Sequence, residues 1–225
     1  MCGRYVSPDE ASIEAFWHIG RHNWRSPFES VRRDRFNVAP QQGNPRNHVP
    51  VIRADAAGTL ELTDMQWWLL PFWSKEPRIK YSTFNARVES IATSASFREP
   101  FRRRRCLLPA RGWYEWQDTP SGKQPWFFHS ADGDLVAFAG LWDRWVHNEQ
   151  VIESCTIIVG EPNAAVRPIH DRAINQVLAE DRDVRTLVAV IVGQRVVEVV
   201  HHVAAVQNHN QTVPVCQLFL WVKIP

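Results

Sequence analysis

Short apolar runs, broken repeatedly by Pro, Gly, Asn and Asp, dominate the pattern of the chain. "VPVIRAD", "LELTDMQWWLL", "RCLLPARGWYEWQ", "QPWFFHSADGDLVAFAGLWDRW" and "ESCTIIVG" are rich in aromatic and β-branched residues and read as strands. Asp-Gly between two of these runs, in "FFHSADGDLVAFAG", predicts a hairpin. The clearest helix is "SPDEASIEAFWHI", where Ser7 caps, Pro8 opens the first turn, and Ile13, Phe16 and Trp17 share a face. "NARVESIATSASFREPF" begins irregularly and turns helical, and "LAEDRDVRTL" is a weaker helix. The valine-rich "LVAVIVGQRVVEVVHHVAAVQ" suggests one or two late strands. No Gly-, Ser- or Pro-rich linker divides the sequence and nothing repeats. The pattern therefore predicts one α+β domain over 1–225, built on a curved, mostly antiparallel sheet with a few flanking helices.

Composition narrows the class. A chain of 225 residues, 44% hydrophobic, can bury a sizeable core, and 11 Trp with 15 Pro favour strands and irregular loops over helical bundles. Formal net charge is only +2, so nucleic-acid binding would depend on local clustering of cations, as in "FREPFRRRR". Cys2, Cys106, Cys155 and Cys216 are widely spaced with no CxxC pair, which argues against a zinc ribbon or thioredoxin motif. No metal or other cofactor is expected. With neither an apolar leader nor a long apolar stretch, a cytoplasmic, membrane-free monomer is expected.

Six stretches place chemistry-bearing residues where they attract attention. "MCGRY" puts Cys2 behind a removable methionine; without Met1 its thiol and α-amine form a 1,2-aminothiol, able to attack one aldehyde carbon twice. In "RGWYEWQ" strand alternation sets Glu115 opposite Tyr114 and Trp116, among rings that would raise its pKa toward a value useful in acid–base work. "PIHDRAI" offers His170, a proton shuttle or oxyanion stabiliser. "FNAR" projects Asn85 and Arg87 to one side of an extended stretch, an orienting amide beside a guanidinium fork for phosphate, and "FNVAP" supplies Asn37 before a rigid corner. In "MQWWLLPFWSK", Trp67, Trp68, Phe72 and Trp73 stand beside Lys75, the mixture that forms stacking platforms for unpaired bases. Each has a plainer use: a small residue at a terminus, a strand glutamate paired with a surface arginine, a satisfied loop histidine, a turn, a packed core. Arg98 and Arg102 to Arg105 equally suit a solvated face.

Taken in order, "MCGRY", "RFNVAP", "W-x-x-x-P-x-W", "NARVES", "FREPFRRRRCLLPARGWYEW", "GKQPWFF", "FAGLWDRW", "SCTII" and "IHDR" make the chain resemble the SOS response-associated peptidase family over residues 1 to about 172. That resemblance implies a compact β-rich, barrel-like fold and crosslinking to abasic sites in single-stranded DNA after self-removal of Met1. It implies Cys2 as nucleophile, Glu115 as proton-transfer residue, His170 as its partner and Asn85 as orienting amide. Arg4, Asn37, Trp73 and Arg87 make up the expected DNA-contacting set. Three positions depart from the family pattern: Trp68 replaces a glycine, Ala173 to Gln176 replace a Met-Pro and apolar strand, and "SCTIIVGEPN" lacks threonines after its isoleucines. Residues after about 180 match poorly. Two other classes use the same residues, an N-terminal-nucleophile amidohydrolase based on Cys2 and a non-enzymatic single-strand binder based on the Arg and Trp clusters.

Overall fold

The computed structural model describes residues 3–17, 19, 38–43, 48–130, 133–164, 166–174, 176–177, 205–208 and 211–214. The expected helix at "LAEDRDVRTL" and most of the valine-rich late segment lie outside them.

Five strands form a ring: β2 (His48–Ala54), β3 (Leu60–Trp67), β5 (Arg105–Ala110), β8 (Val136–His147) and β9 (Gln150–Gly160). β3 pairs with β2, β2 with β5, β5 with β8 and β8 with β9, all antiparallel. A parallel contact closes the ring, with Gln66 opposite Ser154 and Trp67 opposite Cys155. Closure removes the exposed edges that an open sheet would carry. A short strand β4 (Asn85–Arg87) extends the parallel side of β9, setting Asn85 opposite Ile157. Two further short strands flank the ring: β10 (Ala173–Ile174) on β9, and β11 (Gln176–Val177) on β8.

Parity along the strands explains why they are buried almost without interruption. Val49, Val51, Met65, Trp67, Cys106, Leu108, Phe138, Cys155 and Ile157 fill the ring and form one cluster. Their neighbours Ile52, Leu60, Leu62, Leu107 and Ala137 point outward and are covered by Ile13 and Trp17 of α1 (Glu10–Trp17). A ring strand thus has two apolar faces and reads as a continuous run rather than an alternation. The helix starts two residues later than Ser7 suggests. Asp9 is its cap, accepting hydrogen bonds from the backbone N and the hydroxyl of Ser12 at 2.8 and 2.7 Å. The second helix, α2 (Arg98–Arg103), lies where "FREPF" turns helical.

A second, five-stranded sheet runs β1 (Tyr5–Val6), β6 (Gly112–Thr119), β7 (Gly122–His129), β12 (Ala205–Asn208), β13 (Gln211–Pro214). It packs against the ring through Tyr5, Trp113 and Phe128, which join the ring's interior cluster. Trp113 stacks on Phe128 at 5.1 Å, and Tyr5 meets Trp67 edge-on at 5.2 Å. The expected Asp-Gly hairpin does not form. Gly133 does take a left-handed turn conformation, φ 73°, but β7 pairs with β6 and β12 while β8 pairs within the ring. The turn carries the chain between two sheets, because both potential partners already have better ones. The hairpins that form among the described residues are β2–β3, β6–β7, β8–β9 and β12–β13. The result is the expected curved, mostly antiparallel β architecture with, among the described residues, two helices.

Candidate active site

β6 crosses from the apolar core to the surface, and its alternation sorts the side chains. Trp113, Glu115 and Gln117 share one face; Tyr114 and Trp116 share the other, where Tyr114 meets Phe127 at 4.8 Å. Glu115 is 1% exposed although it carries a carboxyl group. Such burial penalises the anion, and the nearby Asp171 carboxylate adds to it, so the Glu115 pKa is pushed up to about 7.

The segment 161–172 brings His170 to this carboxyl. Asn163 organises it, accepting the Val166 N–H on its side chain at 3.0 Å and the Arg167 N–H on its carbonyl at 2.9 Å. The Val166 carbonyl then accepts from the backbone N of Ile169 and His170 at 2.8 and 2.9 Å. His170 Nε2 lies 3.8 Å from Glu115 Oε2. At the other ring nitrogen, Nδ1 stands 2.9 Å from Asp171 Oδ1 and 3.1 Å from the Arg172 backbone N–H. The amide suits a neutral ring protonated at Nε2, and the carboxylate suits an imidazolium. His170 has a partner at Nδ1 in either state. Burial lowers its pKa, and Lys123 contributes in the same direction.

A third segment joins these two. Asn85 is buried at the start of β4, while Arg87, two residues on, is exposed. Just beyond β4, Glu89 forms an ion pair with Arg172, tying the Asn85 segment to the residue that holds His170 Nδ1. Ala173 and Ile174, where the family pattern has Met-Pro, pair with Gly160 and Val159 as β10. The loop is thus anchored by a strand on its far side. Glu89, Asp171 and Arg172 are not legible as a unit in the sequence, since a charge pair so distant along the chain leaves no local pattern.

Arg4 lies beside the same strand. Its carbonyl accepts the Tyr114 N–H at 3.0 Å, and Tyr5 pairs with Trp113. Its side chain is exposed. Cys2 and Asn37 lie outside the described residues.

The aromatic stretch divides in two. Trp67 is fully buried in the ring, its indole N–H donating to the Phe84 carbonyl at 2.9 Å, so it belongs to the core and not to a stacking platform. Trp68 is half-buried against Phe84, 5.1 Å between rings, and donates to the Tyr81 carbonyl at 3.3 Å. Phe72, Trp73 and Tyr81 are exposed. The Trp73 indole is steadied by a 3.1 Å hydrogen bond to the Ala95 carbonyl. The arginine run is likewise not one stripe. Arg102 and Arg103 face solvent near Glu99, Arg104 turns to the buried Asp143 at 3.2 Å, and Arg105 folds over Phe101.

A family model described as SOS response associated peptidase (SRAP) matches residues 1–213. The chain belongs to the SOS response associated peptidase family. Curated SRAP relatives include the abasic site processing protein YoaM of Bacillus subtilis, 33% identical over 81% of this chain and 77% of its own length. YoqW, another abasic site processing protein of Bacillus subtilis, is 37% identical over 76% and 74%. Among solved structures, a protein from Bordetella bronchiseptica superposes with a TM-score of 0.64 at 21% identity, covering 79% of this chain and 84% of that one. The SRAP fold is therefore shared well beyond the range of close sequence similarity.

Proposed function

We propose that this chain senses abasic sites in single-stranded DNA and captures them covalently through Cys2. The observation that carries the reading is the buried Glu115 carboxyl facing His170 Nε2 beside the N-terminal strand, where Arg4, two peptide links from Cys2, hydrogen-bonds to Tyr114. The relatives named abasic site processing proteins supply the substrate class. The open form of an abasic deoxyribose presents an aldehyde.

The chain first removes its own Met1, which frees the Cys2 α-amine. An α-amine ordinarily titrates at about 7.7 to 8.0, so it is partly neutral at physiological pH. It adds to the aldehyde carbon, and the carbinolamine loses its hydroxyl as water to leave an imine. Protonated Glu115 supplies the proton for that departure, as suits a carboxyl that titrates near neutrality. The Cys2 thiol then adds across the C=N bond. Sulfur bonds to the same carbon, nitrogen takes up a proton, and a five-membered thiazolidine closes. His170 relays the proton and Asn85 orients the sugar. Arg4, Asn37 and Arg87 hold the phosphates, and Trp73 stacks with a splayed base.

The deciding experiment is denaturing electrophoresis after mixing the protein with single-stranded DNA bearing one abasic site. A heat-stable shifted band is expected from protein that mass measurement shows to start at Cys2. None is expected from protein retaining Met1, in which the Cys2 nitrogen is locked in a peptide bond. A stable band from the Met1-bearing form overturns the thiazolidine mechanism. Provided Met1 is still removed, Cys2→Ala should give only a borohydride-trappable imine with strand nicking.

A further inference from the structure

The geometry points to Gln117 as the positioning residue that sets the distance between His170 and Glu115. Gln117 follows Glu115 by two residues on β6, so both side chains leave the same face of the strand. Glu115 reaches the His170 ring, and Gln117 Nε2 donates to the Pro168 carbonyl at 2.9 Å. The 161–172 segment is therefore held to one strand at two points, two residues apart on each side.

The orientation of the Gln117 amide is itself fixed. Trp126, which stands opposite Glu115 in the β6–β7 register, donates its indole N–H to Gln117 Oε1 at 3.0 Å. An indole N–H can only donate and a peptide carbonyl can only accept. A group lying between them must accept on one side and donate on the other, which an amide does. A carboxylate would aim an acceptor at the Pro168 carbonyl, and a hydrocarbon would satisfy neither. Because the Pro168 carbonyl takes part in none of the loop's internal backbone bonds among the described residues, the contact acts as an external stop for His170. A misplacement of about 1 Å at a reacting group can cost on the order of 100-fold in rate. A single such hydrogen bond is therefore sufficient to matter.

The role rests on the crosslinking reading, and its test separates the two. In Gln117→Leu, single-turnover crosslinking to abasic single-stranded DNA at saturating DNA should fall roughly tenfold. Affinity for the same strand without the abasic site should stay within about twofold of wild type. Gln117→Glu should fall at least as far. Trp126→Phe keeps the ring but frees the amide to flip, so it should give an intermediate loss. The second readout is independent of activity: the His170 imidazole resonances, identified by their loss in His170→Ala, should shift in Gln117→Leu and in the isosteric Gln117→Glu. Unchanged resonances overturn the role whatever the rate does, and so does a wild-type rate accompanied by shifted resonances. If wild-type protein forms no crosslink, the proposed function fails while the resonances still decide whether Gln117 holds His170.

Discussion

His170 Nε2 lies 3.8 Å from Glu115 Oε2, and burial moves the two groups in opposite directions, the carboxyl up and the imidazole down. Both shifts favour the neutral forms, so near pH 7 the Glu115 carboxyl is poised between its protonated and ionised states beside an imidazole biased toward neutrality. A proton can be held at Glu115 or moved along this pair without leaving a buried charge uncompensated.

Glu115 should weaken the fold at alkaline pH. Its pKa is about 7 in the folded protein against 4.5 for an unperturbed glutamate, so the native state holds more protons than the unfolded one between those values. Stability falls as pH rises through this window and is level above it. Glu115→Gln removes the titration, and its stability relative to wild type should therefore rise between pH 5 and pH 8 by on the order of 2–3 kcal/mol. Urea unfolding of both proteins at the two pH values measures it. A constant difference would mean that the carboxyl titrates as an exposed one.

The same substitution should slow crosslinking by about 100-fold while DNA affinity stays near wild type, since general acid–base assistance is lost and no phosphate contact is touched. Single-turnover rates with saturating abasic DNA separate the two effects. Wild-type rates would leave Glu115 without a chemical role.

Phe72→Ala and Trp73→Ala should each weaken binding of unpaired DNA by about 1–3 kcal/mol with little change in melting temperature, because both rings are exposed. Trp67→Ala should do the reverse. Removing a fully buried indole from the ring costs about 3–5 kcal/mol of stability. Titration calorimetry and thermal melts together distinguish stacking from packing.

Arg87→Ala should lower the slope of log affinity against log salt by about one unit, the loss of a single phosphate contact. The side chain is exposed, so stability should not change. An unaltered slope would remove Arg87 from the DNA surface.

Gly112→Ala should destabilise the protein by about 1–3 kcal/mol. A Cβ there would meet the Phe128 carbonyl oxygen at 2.3 Å and the Phe127 ring at 2.6 Å. Because Gly112 begins the strand that carries Glu115, crosslinking should decline with stability. A chemical denaturation curve superimposable on wild type would show that the β6–β7 pair spreads at no cost.

Some of this was legible in the sequence because it was local. A glutamate among three aromatic neighbours announces a buried carboxyl, and alternation alone puts it on the Trp113 face. "FREPF" turns helical where its pattern says it should. Other features depend on who pairs with whom. Trp67 and Trp73 carry the same side chain six positions apart, and only closure of the ring makes one core and the other surface. Asp-Gly fixes a turn but not the partners on either side of it, so a connection between sheets looked like a hairpin. Asp9 outcompetes Ser7 as a cap because its carboxylate reaches both donors of Ser12. The Gln117 amide reaching a carbonyl 51 residues away leaves no sequence signature of its own.

The parallel closure of the ring also has a consequence for biosynthesis. Gln66 and Trp67 must wait for Ser154 and Cys155 on the side away from β2, and Tyr5 must wait for Trp113 on its β6 side. On the ribosome the N-terminal strand therefore emerges long before its β6 partner, and the barrel cannot shut until β9 has cleared the exit tunnel. Contacts of such sequence separation make folding slow. During that interval the edge of β3 that β9 will cover has no partner, an open edge of the kind that invites mispairing, until one late hairpin, β8–β9, arrives to complete the wall.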